Sequence, residues 1–275
     1  MEMQTDGMVS LSRPADVKPG ENNNRFDKWW ILVFFVIFLI AYLSITKSDP
    51  YWRIILFVRD GIWVSLTTTV VSFFLVLVVG LIIGLGRLSK NIVINGISTI
   101  YVEVIRGIPL LVQLLFWYFA FPSVIQSIGN LINFEPMKNY LANPVGMAIL
   151  GLTFCYAAYM AEIYRAGIQS IPKGQMEAAR SLGMSHIEAM RYVILPQAVR
   201  IILPPVGNEF ISLLKDSSLV SVVAVADITR RGREFMAANF IPIETWVMIA
   251  LIYLTMTLFS ARIVTFIEHK TRLER

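Results

Sequence analysis

The stretch that decides the fold is residues 170–196, which read SIPKGQMEAARSLGMSHIEAMRYVILP. It is a polar run without a membrane-length apolar segment, and apolar stretches flank it at about 145–168 and about 197–225. Its segment from Gln175 to Leu182 is rich in Ala, Glu, Arg and Leu, which have high helix propensity. The sequence therefore predicts a short helix held at a membrane surface between two spanning segments.

Local signals mark the end of this short helix and the start of a second one. Gly183 stands where a left-handed conformation ends a helix at little cost. Ser185 and Glu188 have the spacing of a capping box. The run therefore predicts a compact helix–turn–helix through which a soluble partner could push on the membrane helices, although the same pattern is also typical of a solvated loop. Within it, Ala178 and Ala179 would leave a flat face beside charged neighbours.

Apolar stretches of about the length of a bilayer occur along most of the chain. Of its 275 residues, 56% are hydrophobic and 16% are charged, whereas soluble domains are about 25% charged. We therefore expect an all-α membrane protein with about six transmembrane helices. The predicted spans are about 29–46, 61–86, 98–121, 145–168, 197–225 and 243–267. We interpret 1–27 as a flexible tail, 51–58 as an interfacial segment and 122–144 as an exposed loop.

Basic residues give the expected orientation, because they concentrate on the cytoplasmic side of membrane proteins. In a six-span arrangement Arg87, Lys90, the 165–200 stretch and the C-terminal tail share one side, which places both termini in the cytoplasm. The net charge of +5 is thus explained by topology and does not indicate nucleic-acid binding. Three arginines, at 230, 231 and 233, fall on the outer side. They either pair with acidic groups of a partner or reflect the statistical nature of the rule.

Motifs for catalysis, metal binding and nucleotide binding are missing from the sequence. It has no phosphate-binding loop, nucleophile elbow or zinc-protease motif. Cys155 is the single cysteine and is interpreted as a packing residue, and His186 and His269 are too far apart to suggest a metal site. We therefore expect no cofactor in this chain, no enzymatic activity and an energy source in another polypeptide.

Ionisable residues inside the predicted spans are candidates for a substrate path, because charges in a membrane usually face protein or water. Glu103 with Arg106, and Glu162 with Arg165, have a spacing that allows pairing on one helical face. Such pairs either brace helices or, in part, line a path for a zwitterion. Pro204 and Pro205 are expected to break the helix of the fifth predicted span, about 197–225. The polar groups after this break suit an amino acid or an internal ion pair of Lys215: Asn208, Glu209, Lys215, Asp216, Ser217 and Ser218.

The spacing of the 170–196 run resembles the cytoplasmic signature loop of ABC importer permeases. The matching residues are Glu177, Ala178, Ala179, Gly183, Leu195 and Pro196, with Val193 where isoleucine is usual. Other segments resemble the polar amino-acid branch of that family. They are RGIPLLVQ at 106–113, with Ile108 in place of threonine, EIYRAGI at 162–168, IPKGQ at 171–175, NE at 208–209 and KDSSL at 215–219.

This resemblance implies a type I ABC importer transmembrane-domain fold over 58–270, preceded by an extra helix and interfacial segment over 28–57. Residues 170–196 would then be the coupling loop, whose coupling helix docks into an ATPase. The chain would be the permease of an ATP-driven, binding-protein-dependent importer of polar amino acids in a bacterial inner membrane. The implied partners are two ATPase subunits that hold ATP and Mg²⁺, a second permease (a copy or close paralogue), an extracytoplasmic amino-acid-binding protein, the amino acid and membrane lipid.

Two other classes of protein are weighed against this hypothesis. A secondary transporter driven by an ion gradient would show inverted repeats with paired broken helices, but only one broken segment is predicted here. A membrane-embedded enzyme would need catalytic side chains clustered at one depth, and the sequence shows no such set. Dependence of uptake on ATP or on an ion gradient distinguishes these classes.

Overall fold

The computed structural model describes residues 28–271, and all regular secondary structure within this range is helical. The predicted flexible tail, 1–27, lies outside the described residues. The helices are α1 (Lys28–Thr46), α2 (Ser48–Leu88), α3 (Ile92–Gly107), α4 (Leu110–Leu115), α5 (Phe121–Leu131), α6 (Glu135–Lys138), α7 (Pro144–Gln169), α8 (Lys173–Ser181), α9 (His186–Ala189), α10 (Leu195–Asp216), α11 (Ile228–Asn239) and α12 (Pro242–Thr271).

Five helices are long and apolar enough to cross a membrane: Trp29–Thr46, Ser48–Leu88, Leu110–Leu131, Pro144–Gln169 and Pro242–Glu268. The sixth predicted span corresponds to α10, which has 22 residues but is less apolar because it contains charged side chains such as Glu209 and Asp216. Helix α10 packs against α7 and α12, and it buries four side chains, Ala198, Ile202, Leu213 and Leu214. An all-α membrane fold is confirmed.

The predicted third span, 98–121, is wrong in its position. Helix α3 ends at Gly107, and the spanning segment runs instead over Leu110–Leu131. Pro109 causes the break, because the residue before a proline avoids helical geometry, and Ile108 has φ −105° and ψ 130°. The region 122–144, predicted as an exposed loop, accordingly contains α5 and α6.

Helix α2 also differs from the expected pattern of an interfacial piece followed by a span. Its 41 residues contain a kink at Asp49, where the backbone has φ −102° and ψ 115°, and the helix then continues without a further break to Leu88. Such a helix is about 60 Å long, roughly twice the thickness of the hydrocarbon core. The 51–58 segment is therefore the first part of a long helix and not a separate interfacial piece.

The predicted break at Pro204 and Pro205 is wrong, since α10 continues through both prolines as far as Asp216. Packing against neighbouring helices overrides the local preference: a Cβ added at Gly207 would lie 2.3 Å from Cγ1 of Val264 on α12. The irregular backbone comes later, as a 3₁₀ turn over Ser217–Val223. That turn ends at Ala224, which has a left-handed φ of 63°.

The core of the bundle is built around α7, which packs against α2, α3, α4 and α10. Small residues allow the closest of these approaches. A Cβ at Gly80 of α2 would lie 2.7 Å from Cβ of Met160, so only glycine permits this contact. Helix α1 packs more peripherally, with Val33 and Val36 against Leu258 of α12.

Candidate substrate cavity and coupling loop

A cavity of about 260 Å³ lies between α7, α10 and the start of α4. Its lining combines two carboxylates, three hydroxyl groups and one thiol with apolar side-chain atoms. The lining residues are Leu110, Cys155, Tyr156, Tyr159, Glu209, Ser212 and Asp216. Because Glu209, Ser212 and Asp216 are three and four positions apart, one face of α10 presents all of them to the cavity.

One hydrogen bond and one cation–π contact fix the polar geometry of this cavity. The Tyr156 hydroxyl donates to Oδ2 of Asp216 at 2.7 Å, which ties α7 to the end of α10. The guanidinium carbon of Arg106 lies 5.3 Å from the centroid of the Tyr159 ring. Arg106 of α3 thus stands at the edge of the cavity, where a cation over an aromatic face is stabilised.

The structure brings together only some of the predicted path residues. Glu209 and Asp216 line the cavity, with Arg106 beside it. Asn208 and Lys215 are exposed, and Ser218 is half-buried. Ser217 is buried, and its hydroxyl donates to the carbonyl of Leu214 at 2.8 Å. Its polar side chain is therefore accounted for by a hydrogen bond at the end of α10.

The suggested ion pair of Lys215 with Asp216 or Glu209 is wrong. Among the described residues, no salt bridge joins Lys215 to either carboxylate. Asp216 accepts the Tyr156 hydroxyl instead, because its side chain points toward α7 while Lys215 remains exposed.

The remaining two acidic candidates, Glu103 and Glu162, belong to an ion cluster around Arg87, near the end of α2. Glu162 accepts hydrogen bonds from Arg165, with Nε to Oε2 at 3.1 Å, and from Arg87 of α2. The predicted Glu162–Arg165 pair is thus confirmed. The Glu103–Arg106 pair is wrong, because Glu103 lies 3.8 Å from Arg87 instead and Arg106 turns toward Tyr159.

Sequence reasoning missed several residues of the cavity and of the ion cluster. Arg87 was interpreted only as a topology marker, and Cys155 only as a packing residue, although it also lines the cavity. Tyr156, Tyr159 and Ser212 were not singled out. A helical-spacing search around the charges could have found Ser212, which lies between Glu209 and Asp216 on the same face. Only the packing of α7 on α10 identifies the tyrosines.

The coupling loop has the local structure that its sequence predicts. The expected helix over 175–182 is α8, Lys173–Ser181, and Gly183 follows with φ +86°. The amide of Met184 donates to the carbonyl of Ala179 at 3.2 Å, and the amide of Gly183 to that of Arg180 at 3.0 Å, which is a Schellman motif. Both the helix and its glycine stop are confirmed.

The second short helix, α9, begins with the predicted capping box. Glu188 N donates to the Ser185 hydroxyl at 3.3 Å, and Ser185 N donates to Oε2 of Glu188 at 2.8 Å. The hydrogen bond from the Ser185 amide to the carboxylate, with a smaller contribution from the Ser185 hydroxyl, lowers the pKa of Glu188. A π-helical turn over Met190–Ile194 then leads directly into α10, whose second residue is Pro196.

The coupling loop has an exposed surface and a buried base. Glu177 and Ala178 are exposed, and Leu182 and Ile187 are 81% and 78% exposed. Ala179 is only 3% exposed, so it packs inside the loop and does not form part of a flat outer face with Ala178. The base joins Ile171 to Ile194, Ala198 and Ile202, which anchors the loop to α10. Leu195 and Pro196 start α10 and are exposed.

Two of the three arginines that were predicted to lie on the outer side have acidic partners within this chain. Arg231 pairs with Asp60 of α2 and with Glu234, and Arg230 with Glu234. The two arginines lower the pKa of Glu234, chiefly through the hydrogen bond from Arg231. Arg233 donates to the Ser221 hydroxyl at 3.0 Å. Intrachain pairing therefore accounts for Arg230 and Arg231.

A bundle of apolar helices around a cavity lined with carboxylates, with an exposed loop joined to a cavity-lining helix, is the arrangement expected of a membrane transport subunit. A family model described as "Binding-protein-dependent transport system inner membrane component" matches residues 76–273. The chain therefore belongs to this family, the permeases of ABC importers.

Named relatives support the assignment. The chain is 36% identical over 222 residues to the glutamine transport system permease GlnP of Escherichia coli K12, covering 81% of this chain and 96% of GlnP. It is 35% identical over 255 residues to the arginine transport system permease ArgU of Corynebacterium glutamicum, covering 89% of this chain and 79% of ArgU.

Solved structures agree with these relatives. An amino acid ABC transporter crystallised with histidines matches with a TM-score of 0.69 and 38% identity, over 83% of this chain and 97% of that one. The inward-facing methionine transporter MetNI matches with a TM-score of 0.64 at 19% identity, over 80% and 99% of the two chains, which supports the fold alone.

These matches place the chain in the polar amino-acid branch of the ABC importer permeases. They confirm the predicted family and the multi-pass membrane class, and they favour the ABC importer over the ion-gradient transporter. The matched family is one of inner-membrane components of transport systems.

Proposed function

We propose that this permease imports a polar amino acid across the bacterial inner membrane, powered by ATP hydrolysis in two separate ATPase subunits. One observation carries the proposal: α10 begins at the coupling loop and ends in the cavity. Its 22 residues span about 33 Å, and Glu209, Ser212 and Asp216 lie in its second half. A movement imposed on the loop is therefore transmitted to cavity-lining side chains by a single rigid element.

The exposed surface of the loop supports an ATPase as the partner at its cytoplasmic end. Leu182 and Ile187 are large apolar side chains that stand almost fully exposed, beside the exposed Glu177 and Ala178. Apolar anchors surrounded by charge are typical of protein interfaces. Closure of two ATPases around ATP and Mg²⁺ would push this surface, while the hydrophobic base over Ile171 and Ile194 keeps the loop from deforming.

The cavity supports an amino acid as the transported solute. Carboxylates at Glu209 and Asp216 would face ammonium groups, and the guanidinium of Arg106 would face the α-carboxylate. Charged groups of opposite sign recognise a zwitterion with strong, directional hydrogen bonds. Glu103 and Glu162 are assigned a bracing role with Arg87, away from the substrate.

The complete importer would contain further subunits. A second permease, either a copy or a close paralogue, would complete the translocation path, and an external binding protein would deliver the amino acid. Both termini of this chain would lie in the cytoplasm, on the same side as the coupling loop. The positive residues at Arg87 and Lys90 and around the loop support this orientation.

The test is purification of the tagged full-length chain from its native membrane in a mild detergent, followed by identification and assay of co-purifying proteins. We expect an ATPase in a fixed ratio, lost when Leu182 and Ile187 are both changed to serine. The exposed Leu141, on the opposite side of the bundle, provides the matched control Leu141→Ser. A chain that purifies without any ATPase would contradict the proposal.

A further inference from the structure

A second pocket, of about 330 Å³, lies where the 3₁₀ turn Ser217–Val223 meets α11. Its lining residues are Ser221, Val222, Ala224, Arg230, Arg233 and Glu234. None of them lines the cavity between α7 and α10, so the two sites are separate. Small-molecule sites in proteins have volumes of about 300–1,000 Å³, and this pocket is therefore large enough for a small solute.

The pocket follows the end of α10 that is remote from the coupling loop. Helix α10 begins at that loop, and the 3₁₀ turn continues directly from Asp216, which lines the cavity. Ser221 comes five positions after Asp216. In the proposed orientation the pocket is therefore on the outer side, where the amino acid arrives.

Helix α11 is held in place by the face that lies opposite the pocket. Ile228, Gly232 and Phe235 are buried, and Ile228 and Phe235 pack with apolar residues of α2 and α12. Arg230 and Arg233 are three positions apart and lie together on the other face. Because the backbone that carries these charges is fixed before a ligand binds, less conformational entropy is lost on binding.

The pocket contains more positive than negative charge. Arg230 and Arg231 both pair with Glu234. Arg233 is exposed, and within residues 28–271 it has no carboxylate at salt-bridge distance. It donates instead to the neutral hydroxyl of Ser221 at 3.0 Å. One guanidinium of the pocket is therefore available for an anionic group of a ligand.

The lining fits the two charged groups that all amino acids share. A guanidinium binds a carboxylate through strong, directional hydrogen bonds, so Arg233 suits the α-carboxylate. The side chain of Glu234 is 37% exposed, which leaves its carboxylate accessible to the α-ammonium. Val222 and Ala224 are exposed and have short side chains. A lone anion, such as a lipid phosphate or an acidic side chain of another protein, would bring no cation for Glu234.

We propose that this pocket is a second, outer binding site for a free amino acid, with the α-carboxylate on Arg233 and the α-ammonium facing Glu234. This inference rests on the proposed function, because it gives the amino acid a position between the external binding protein and the cavity. Since the charged groups of the pocket contact only the part common to all amino acids, the site accepts different side chains.

The test is the rate at which N-ethylmaleimide labels Val222→Cys in the full-length chain with its co-purified subunits, without the external binding protein. Val222 is 44% exposed, whereas the native Cys155 is buried, and peptide mass spectrometry identifies the labelled residue. We expect L-glutamine and L-lysine to slow the labelling saturably. Their decarboxylated counterparts, 4-aminobutanamide and cadaverine, and acetate should not slow it.

A further substitution assigns this protection to the pocket. Arg233→Gln, added to Val222→Cys, should raise the half-protecting concentration of both amino acids about tenfold or more, the size of one charged hydrogen bond. Arg59→Gln, at an exposed arginine of α2 outside the pocket, should leave that concentration unchanged. A cysteine at the exposed Ala237 of α11, also outside the pocket, should be labelled equally with and without amino acid.

Several results overturn the inference. They are equal protection by acetate or by the decarboxylated amines, no protection by either amino acid, and protection that Arg233→Gln leaves unchanged in a protein with a native size-exclusion profile. Protection by the external binding protein alone, without amino acid, would make the pocket a docking surface and overturn it as well. ATP-driven uptake by the unmodified complex tests the proposed function separately, so the inference can fail while that function stands.

Discussion

The coupling loop and the cavity are joined by α10, yet they are built from opposite kinds of interaction. The loop is held by contacts between residues close in sequence, such as the Ser185–Glu188 capping box and the glycine stop at Gly183. The cavity is held by contacts between distant residues, such as Tyr156 with Asp216. The proposed coupling surface is therefore locally determined, whereas the proposed binding surface depends on how the whole bundle packs.

The largest effect is expected from changing the glycine that ends α8. Gly183 has φ +86°, where a β-branched side chain is strongly disfavoured. Gly183→Val should abolish substrate-stimulated ATP hydrolysis by displacing Met184 and α9, while the chain still inserts into membranes. The measurement is ATPase activity of the purified complex with and without amino acid.

Gly174 provides the matched control for this change. It lies inside α8, and a Cβ there meets no atom within 4 Å. Gly174→Ala should therefore keep coupled hydrolysis. Equal activity of the two variants would show that the shape of the loop does not determine coupling.

The next effect tests the distant contacts of the cavity. Tyr156→Phe removes the hydroxyl that donates to Asp216 at 2.7 Å. Because a hydrogen bond to a charged group contributes about 1.5–3 kcal/mol, the concentration for half-maximal uptake should change about tenfold or more. The measurement is the concentration dependence of uptake, with the exposed Tyr42→Phe of α1 as the control. An unchanged concentration dependence would show that the hydrogen bond to Asp216 does not contribute to substrate binding.

A smaller effect is expected where α10 contacts α12. A Cβ at Gly207 would lie 2.3 Å from Cγ1 of Val264, so Gly207→Ala overpacks this contact at a cost of about 1–3 kcal/mol. The melting temperature in detergent should fall. The double variant Gly207→Ala/Val264→Ala should recover most of the loss, and its failure to do so would mean that the two residues do not share this contact.

The smallest effect concerns the cap of α9. Ser185→Ala removes the hydroxyl that accepts from Glu188 N, and loss of such a cap costs about 1 kcal/mol. Hydrogen exchange at the α9 amides should become faster, while exchange in α7 stays the same. Equal protection in both proteins would mean that the capping box does not hold α9.

The same cap predicts a pH dependence. Since the folded loop lowers the pKa of Glu188, its stabilisation is present above the usual glutamate pKa and is lost as the pH falls through the lowered value. Glu188→Gln should remove this dependence. Exchange rates corrected for the intrinsic effect of pH measure it, and a variant with the same acid response as the native chain would contradict the assignment.

What could be predicted from the sequence follows the same division between local and distant contacts. The helix–turn–helix of the loop, its capping box and four of the spans were predicted because their signals are local. The third span was predicted too early in the chain, because the break of the helix before Pro109 was not anticipated. The helix was predicted to break at Pro204 and Pro205, yet packing of Gly207 on Val264 keeps it continuous. Tyr156 and Tyr159 could be recognised as cavity-lining residues only from the packing of α7 against α10.

The central claim is that a push on the coupling loop by an ATPase opens and closes the cavity through α10. The most direct test is amino-acid uptake into proteoliposomes that contain the complex purified with this chain, with either enclosed ATP or an imposed ion gradient, and with the external binding protein present. The account predicts accumulation that requires hydrolysable ATP, persists when ion gradients are collapsed and disappears in Gly183→Val. Accumulation driven by an ion gradient without ATP would contradict it.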